Sequence, residues 1–334
     1  MVNMQQFHIR ESVVFENILP DEYYDVSNAL SVSRTRMCLQ QMLDDPPDIQ
    51  QLISKCMEYN NEFNDILQFM TKNRQIQLKI QPIFHWYIND MSISSSCWLM
   101  ESVLIKHTIA ALLEHNGTNL LETDVKKASK IFDTAIKTRE ELLDILDLWK
   151  WKQLHYNILH KNWHLSKIYY LKTQQQLAMI DVGISKQTPA KTLFTVSQRA
   201  VKCAASAIKM WPVSVNVQIL HLTEALRYLF SSNILWSREK YGQSIYRIQN
   251  WISKPIDAGP YKNIQEHFSN ISFLLNERQK DNESIYFHKI EAGLPLIEAF
   301  ELIHSNEDVP HPSSEETNVE NETHATLSSQ KSVE

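Results

Sequence analysis

The sequence contains little glycine and no long apolar run. Only five glycines occur in 334 residues, whereas sheet-rich and phosphate-binding proteins use many, because tight turns favour residues without a Cβ atom. The shortage of glycine therefore favours helices joined by few sharp turns. No run reaches the roughly 18 apolar residues of a membrane span, and the first residues, MVNMQQFHIR, are too polar for a secretion signal. We expect a cytoplasmic protein with peripheral membrane association at most.

Motifs for catalysis and metal binding are also missing. The sequence has no GxGxxG, GxxxxGK[ST], GxSxG or HExxH motif. His160 and His164 share a helix face, but no nearby carboxylate or cysteine completes a zinc site. Glu140, Glu141 and Asp144 fit a solvated helix face better than an acid/base pair. We expect neither an enzyme nor a cofactor, and the four cysteines lie too far apart for a CxxC pair: Cys38, Cys56, Cys97 and Cys203.

The net charge of −6 is concentrated at the C-terminal end. Residues 305–334 hold seven acids and one base, so the charges of residues 1–304 sum to zero. A neutral body offers no global field for nucleic acid, and the last residues have little apolar surface to bury. We predict a folded domain over 1–304, a disordered acidic tail over 305–334 and no nucleic-acid partner. A solvated helix face explains the small lysine clusters better than contact with anionic lipid: Lys126, Lys127, Lys130, Lys150 and Lys152.

Apolar periodicity predicts a mainly helical chain, with a strand or an extended arm over residues 7–15. Asn116-Gly117 is a helix-end signal, Thr188-Pro189 is a helix start, and the polar residues 231–233 predict a short link between antiparallel helices. A mixed extended stretch is predicted over 282–303. Helices are predicted over residues 21–45, 48–80, 98–115, 122–152, 163–184, 188–211, 217–230, 235–252 and 261–278.

The predicted helix after Thr188 has a regular apolar seam with spacings of 3, 4, 3, 4 and 3, which is typical of helix packing. Stacked antiparallel hairpins of this kind would form a tetratricopeptide-like core, although no strict 34-residue repeat occurs. The seam consists of Leu193, Val196, Ala200, Cys203, Ala207 and Met210.

Five segments carry the motifs of one known family in the family's order. They are WLMESVLIKHTIAALLEHNG (98–117), DVKKASKIFDTAIKTREEL (124–142), HLSKIYYLKTQQQLAMI (164–180), SREKYGQSIYRIQNW (237–251) and NESIYFHKIEAGLPLIE (282–298). Together they resemble the BRO1-domain family of ESCRT-linked proteins. The resemblance implies a mainly α, elongated domain with a tetratricopeptide-like core of helical hairpins and a few edge strands.

The resemblance also implies a function and a binding site. BRO1 domains are non-enzymatic adaptors, and they bind the C-terminal amphipathic helix of an ESCRT-III filament subunit on a convex apolar patch. Ungapped alignment places the patch residues at Met179, Thr192 and Val196, with Leu193 able to substitute for Thr192. The family prefers a large aliphatic residue where Thr192 stands. The alternative is that Leu193 and Val196 merely continue the packing seam.

The short length and the stretch QPIFHWYIND (81–90) resemble the fungal palC-type regulators of alkaline-pH signalling. That subgroup implies recruitment to endosomal or plasma-membrane ESCRT sites. It also implies a pH-sensing complex and a signalling-protease scaffold as further partners, with proteolytic activation of a transcription factor as the outcome. Three alternatives stay open: endosomal cargo sorting by the same fold, a generic tetratricopeptide-like assembly scaffold, and an enzyme without a recognisable motif.

Overall fold

A computed structural model of the chain describes residues 7–290, apart from residues 12, 21, 24, 74–77, 89–90, 149–155 and 253–255. Helix accounts for 77% of the described residues, which confirms the predicted mainly α fold. The predicted tail and residues 291–304 lie outside the described part. The described helices are α1 Phe15–Ile18, α2 Val26–Asp44, α3 Ile49–Lys72, α4 Trp98–Leu120, α5 Val125–Leu148, α6 Lys161–Ser185, α7 Ala190–Met210, α8 Ser214–Ser237, α9 Tyr241–Ile252, α10 Lys262–Ser269 and α11 Ile271–Asp281.

Three short antiparallel strands from the first 95 residues form a sheet. Their order in the sheet is β1 Phe7–Arg10, β2 Phe84–Ile88 and β3 Met91–Ser95. Phe7 of β1 lies opposite Ile88 of β2. Alternation along β2 buries Phe84, Trp86 and Ile88 on one face. The predicted strand near residue 7 is thus confirmed for residues 7–10, and the sheet supplies the predicted edge strands.

A buried carboxylate joins this sheet to the first long helices. Glu101 of α4 is fully buried, and its oxygens accept hydrogen bonds from three other elements. Oε1 accepts from Arg36 Nε of α2 at 3.1 Å and from the Tyr59 hydroxyl of α3 at 2.7 Å. Oε2 accepts from Trp86 Nε1 of β2 at 2.5 Å. Because a buried charge without partners is strongly destabilising, this network fixes how the four elements sit together.

Helices α4 to α9 pack each against the next, which confirms the predicted core of helical hairpins. Helix α4 nevertheless runs through Asn116-Gly117 to Leu120, so the predicted helix end is wrong. Gly117 lies against Phe132 of α5, and a Cβ there would be 2.5 Å from the Phe132 ring. The glycine therefore allows two helices to approach closely instead of ending one of them. No described helix is long and apolar enough to cross a membrane.

Helix α8 is continuous, so the predicted link at residues 231–233 is also wrong. Ser232 Oγ lies 2.9 Å from the hydroxyl of Ser244 on α9. Arg278 of α11 donates to the Ser232 hydroxyl at 2.7 Å and to Asn233 Oδ1 at 2.8 Å. These polar residues are buried contact points for α9 and α11. The turn into α9 falls at residues 238–240, where Glu239 has a φ of 62°.

The predicted helix over 261–278 is two helices, α10 and α11, which meet at Asn270. Asn270 ends one helix and begins the next, a position that short polar side chains favour over the helix interior. A single π-helical turn, Asn282–Tyr286, then continues α11 where an extended stretch was predicted. The extended stretch is therefore wrong for these residues, and its part beyond residue 290 lies outside the described chain.

Asn282 and Gly242 hold the segment that follows this turn. Asn282 Nδ2 donates to the carbonyl of His288 at 2.8 Å, and Asn282 Oδ1 accepts from the amide of His288 at 3.1 Å. Gly242 of α9 leaves room for the same segment, since a Cβ at that position would collide with the carbonyl oxygen of Lys289. Asn282 and Gly242 therefore both have structural roles, because they allow the segment after α11 to pack against α9.

Candidate functional site

The predicted binding residues lie on one hairpin, formed by α6 and α7. Helix α7 begins at Ala190, directly after Thr188-Pro189, so the predicted start is confirmed. The amide of Thr188 donates to the carbonyl of Gly183 at 2.9 Å and closes the turn. Gly183 also lets the helices approach, because a Cβ there would lie 2.6 Å from Leu193 Cδ2. Leu193 therefore packs between the two helices, with only 6% of its surface exposed.

The buried face of α7 differs from the predicted seam. Val196 and Cys203 are only partly buried, whereas Ser197 and Ala204 beside them are buried. The reason is that α6 covers one side of α7 and α8 covers the other, so the core face lies between these two contacts. The predicted seam is therefore correct only in part. The residues that repeat along the buried face of α7 are Leu193, Ser197, Ala200, Ala204 and Ala207.

The other three predicted residues lie at the surface of the hairpin. Met179 is 55% exposed, Thr192 is exposed, and Val196 is partly exposed. Met179 precedes Gly183 by four residues, and Val196 follows Leu193 by three. The two helices are antiparallel. Met179 and Val196 are therefore both displaced along the hairpin, in the same direction, by about 5 Å (close to one turn) from the contact between Gly183 and Leu193. The fold thus brings Met179 and Val196 to one level, with Thr192 one turn along α7 and Leu193 beneath.

Helix α5 holds one side of α6. Gln175 Nε2 donates to Asp133 Oδ1 at 2.7 Å and to the carbonyl of Ser129 at 3.1 Å. Lys172 Nζ lies 3.6 Å from Glu140 Oε1, and both side chains are substantially exposed. Glu140 is therefore part of a solvated ion pair, as the sequence predicted for a helix face, and these contacts fix the rotation of α6.

Helix α10 holds another side of α6. Asp181 accepts from Asn263 Nδ2 at 2.8 Å and from the backbone amide of Ile264 at 3.0 Å, at the start of α10. The hydroxyl of Tyr261 donates to the side chain of Gln174. With α5, α7 and α10 on three sides, the face of α6 that carries Met179 remains open.

The one thiol beside the open face of α6 is not an activated nucleophile. Burial raises the pKa of Cys203, and the nearby charge of Lys172 only partly opposes that rise. A protonated thiol is a poor nucleophile, because the thiolate is the reactive form. Burial raises the pKa of Cys56 further, to about 12. Both residues therefore behave as packing residues.

A buried ion cluster fixes α6 against α4 and α5. Glu114 Oε2 accepts from Arg139 Nη2 at 3.0 Å, and Glu114 Oε1 accepts from Lys167 Nζ at 2.8 Å. Burial raises the pKa of Glu114, but the charges of Lys167 and Arg139 outweigh burial and leave that pKa below its usual value. Because the loss of one partner would leave a buried charge unpaired, the cluster keeps the three helices in register.

His160 and His164 do not face a common ligand position. His164 Nε2 donates to the carbonyl of Ile158 at 2.7 Å, and its Nδ1 lies 3.4 Å from Arg139 Nη1. The ring of His160 packs on Trp211, with 5.5 Å between centroids. Burial, together with the charge of Arg139, lowers the pKa of His164 to about 3. Over the described part of the chain, no group of three or more metal-ligating side chains comes together.

Comparison with known proteins identifies the fold. No family model matches the sequence, and no curated protein matches it. Among solved structures, a Bro1 domain studied for endosomal targeting has a TM-score of 0.68 at 12% identity, with 90% of each chain covered. The BRO1 domain of ALIX in complex with CHMP4C has a TM-score of 0.68 at 14% identity, over 88% of this chain and 92% of that one. The chain has the fold of a Bro1 domain.

A longer ALIX chain places the Bro1 fold within a larger protein. ALIX in complex with the SIVmac239 late domain PYKEVTEDL has a TM-score of 0.70 at 14% identity. The match covers 88% of this chain but only 47% of that chain. At these identities the likeness establishes the fold.

Three residues inside the motifs that carried the resemblance have structural roles that the sequence alone did not assign. Glu101 joins four elements, Gly242 admits the segment after α11, and Asn282 closes the turn of that segment. An isolated glycine inside a helical pattern is a signal for close backbone approach and could have identified Gly242. The partners of Glu101 come from distant parts of the chain and carry no local signal.

Proposed function

We propose that this chain is a non-enzymatic adaptor that captures the C-terminal amphipathic helix of an ESCRT-III filament subunit. The observation that carries the proposal is the Bro1 fold, which this chain shares over 88% of its length with a domain bound to CHMP4C. The α6–α7 hairpin supports it, because Met179 and Val196 offer apolar side chains at one level of an open face. An amphipathic helix docks on such a surface through anchors about one turn apart.

The contact residues in this proposal are Met179 and Val196, with Thr192 at their edge. Leu193 supports them from beneath, because it is buried against Gly183 and has almost no free surface. Thr192 offers a smaller apolar surface than the aliphatic residue that BRO1 domains prefer there. We therefore expect the binding to be weaker than that of a domain with a leucine or isoleucine at this position.

Val196→Asp tests the surface. The variant should fold with nearly unchanged melting temperature and should lose at least about tenfold in affinity for a peptide of the CHMP4C C-terminal helix, because a charge in a desolvated contact is costly. Fluorescence polarisation of the labelled peptide measures the affinity. Thr195→Asp is the matched control, since Thr195 is exposed one residue away on another side of α7, and it should bind like the wild type.

The outcomes separate the surface from the function. If Val196→Asp folds and binds normally, the surface is wrong. If it unfolds, as we expect of Leu193→Asp, Val196 belongs to the core. If the unmodified chain does not bind the peptide, the adaptor function itself fails.

We further propose that the adaptor acts in alkaline-pH signalling, with a pH-sensing complex and a protease scaffold as further partners. The stretch QPIFHWYIND supports this assignment. Endosomal cargo sorting is the second candidate, because one matched Bro1 domain was studied for endosomal targeting. In cells, Val196→Asp should abolish activation of the pH-response transcription factor at alkaline pH and leave cargo sorting intact. The reverse pattern would favour the sorting function.

A further inference from the structure

His107 of α4 is a fully buried histidine whose surroundings offer no acceptor for a proton. Its ring lies against Phe7 of β1 and against Trp163 and His164 of α6. Neither ring nitrogen has a hydrogen-bond partner among the described residues. A buried polar atom without a partner is destabilising, and a buried charge without one is far more so. The packing of β1 on α4 therefore depends on a neutral His107.

The charges around His107 oppose a proton on its ring. Arg139 of α5 and Lys167 of α6 are cations, and both are already bonded to Glu114 of α4. These two cations and one carboxylate leave a net charge of one positive unit beside the ring. Both nitrogens of His164 are engaged as well, so that ring offers no acceptor. Burial, followed by these neighbours, lowers the pKa of His107 well below its usual value.

Strand β1 is the wall of this pocket that opens most easily. It is four residues long, lies at the edge of the described sheet and pairs there with β2. Trp163 and His164, in contrast, belong to a helix of 25 residues that packs on α5, α7 and α10. Short elements near a chain end open locally at a fraction of the free energy of global unfolding. Opening of β1 removes Phe7 from His107 and admits water to the ring.

We propose that β1 is an acid-released latch: when the strand opens, His107 takes up a proton, and the strand cannot close on α4 until that proton leaves. In the closed state His107 binds no proton, whereas in the open state it titrates near about pH 6.5, so acid favours the open state. Release exposes the buried side chains of Phe7 and Ile9 and leaves one edge of β2 unpaired. The latch therefore changes the surface of the sheet as the surroundings acidify.

Two histidines at the surface of the sheet act in the opposite direction. His8 Nδ1 of β1 lies 3.0 Å from Asp44 Oδ1 of α2, and His85 Nε2 of β2 lies 3.3 Å from Oε2 of Glu11, which directly follows β1. Carboxylates stay ionised between about pH 7.5 and about pH 5.5, so a proton on either ring strengthens its pair and holds the strand closed. Opening of β1 toward acid pH is therefore the signature of His107.

Hydrogen–deuterium exchange of the full chain, read by mass spectrometry on the fragment that contains β1, tests the latch. Each exchange rate is divided by the intrinsic rate at the same pH, which gives the opening equilibrium of the strand. Between about pH 7.5 and about pH 5.5 this equilibrium should rise about tenfold, which is the effect of one histidine that binds a proton only in the open state. In His107→Phe the change should stay within about twofold, because phenylalanine fills the pocket and binds no proton.

His8→Gln is the matched control, since it removes a histidine from the same strand without changing the pocket around His107. The rise toward acid pH should be at least as large as in the wild type, because the variant lacks a pair that opposes opening. If His107→Phe does not fold, His107→Leu supplies the same comparison, and the wild type alone still decides the direction of the effect.

Three results would overturn the latch. An opening equilibrium of β1 that is flat or falls toward acid pH would show that a buried neutral His107 does not control the strand. An equal rise in the wild type and in the His107 variant would assign the effect to another group. A rise confined to the amides of α6, with β1 unchanged, would show that the helix and not the strand is the part that opens.

Discussion

Glu101 shows how much one side chain can determine in this fold. Its carboxylate accepts hydrogen bonds from Arg36, Tyr59 and Trp86, each on a different element. Burial, together with the charge of Glu101, raises the pKa of Tyr59 well above its usual value, so the phenol remains a donor at every physiological pH. Tyr59 therefore keeps its place as a hydrogen-bond donor to Glu101.

Glu101→Gln should lower the free energy of unfolding by about 3–5 kcal/mol, because Arg36 would keep its buried charge and lose the carboxylate that balances it. Urea denaturation followed by circular dichroism measures the change. Glu140→Gln is the control: Glu140 lies 3.6 Å from Lys172, and both side chains are substantially exposed, at 52% and 41%. An exposed pair of this kind contributes about 1 kcal/mol at most. Losses of equal size in both variants would contradict the special role of Glu101.

Single-residue placement at the candidate site could be predicted only in part. Alignment placed Met179 and Val196 on the α6–α7 hairpin, and both reach its surface. It could not distinguish Leu193 from its neighbours, because the burial of Leu193 depends on the position of Gly183 on the facing helix. A sequence motif gives a position along a helix, whereas exposure depends on what covers each side of that helix.

At the scale of elements, two buried histidines lie where α4 and α6 meet. The ring of His107 lies between Phe7, Trp163 and His164, with centroids 5.8, 5.3 and 6.0 Å away. Neither of its ring nitrogens has a hydrogen-bond partner among the described residues. Burial, with the charge of Arg139 as the next cause, lowers the pKa of His107 well below its usual value. Both histidines are therefore neutral in the folded protein.

This arrangement makes stability depend on pH. In the unfolded chain each histidine takes up a proton near pH 6.5, whereas in the folded chain it does not. Their contribution is thus fully present above about pH 6.5 and is lost as the pH falls. From pH 7.5 to 5.5 the free energy of unfolding should drop by about 2–3 kcal/mol, which is the combined effect of two such groups. Urea titrations at a series of pH values measure it.

His107→Phe should remove about half of that pH dependence, since the ring of phenylalanine suits an aromatic pocket and binds no proton. His221→Gln should leave the pH dependence unchanged, because His221 is exposed on α8. A slope that is the same in the wild type and in His107→Phe would show that His107 is not one of the groups responsible.

Element boundaries were predictable where the chemistry of the chain itself ends or begins a helix. Thr188-Pro189 starts α7, and Asp45-Pro46 lies directly beyond the end of α2, as expected from the fixed geometry of proline. The boundaries failed where a distant partner decides. Gly117 continues α4 because Phe132 packs on it, and Ser232 continues α8 because Arg278 donates to it. No local pattern reveals either partner.

At the scale of the whole molecule, the fold class followed from periodicity and the scarcity of glycine, because long amphipathic helices leave a strong pattern in the sequence. The distribution of charge did not follow from the net value. The zero sum over residues 1–304 conceals an uneven placement, since α7 carries four bases and no acid, whereas α5 carries acids that lie near lysines of α6.

Deletion of residues 305–334 should leave the melting temperature within about 2 °C of the wild type, because seven acids and few apolar residues give this segment little to bury. Differential scanning calorimetry at matched pH and salt measures the change. A deletion within the body, such as residues 282–290, should destabilise the protein clearly. A loss of several degrees on removing the tail would mean that the tail packs on the folded domain.

The pairing of the first strand with the second has a consequence for the order of events during synthesis. Phe7 and Ile88 lie about 80 residues apart in the chain, whereas the helices from α4 onward pack on their immediate successors. Closing a long loop before its contacts form is entropically costly, so this pairing is slow compared with the packing of a local hairpin. At roughly 5–20 residues per second, a ribosome needs several seconds to supply the partner strand. During that time FHIR is an unpaired strand edge, and the nascent chain is then at its most exposed to chaperones and to aggregation.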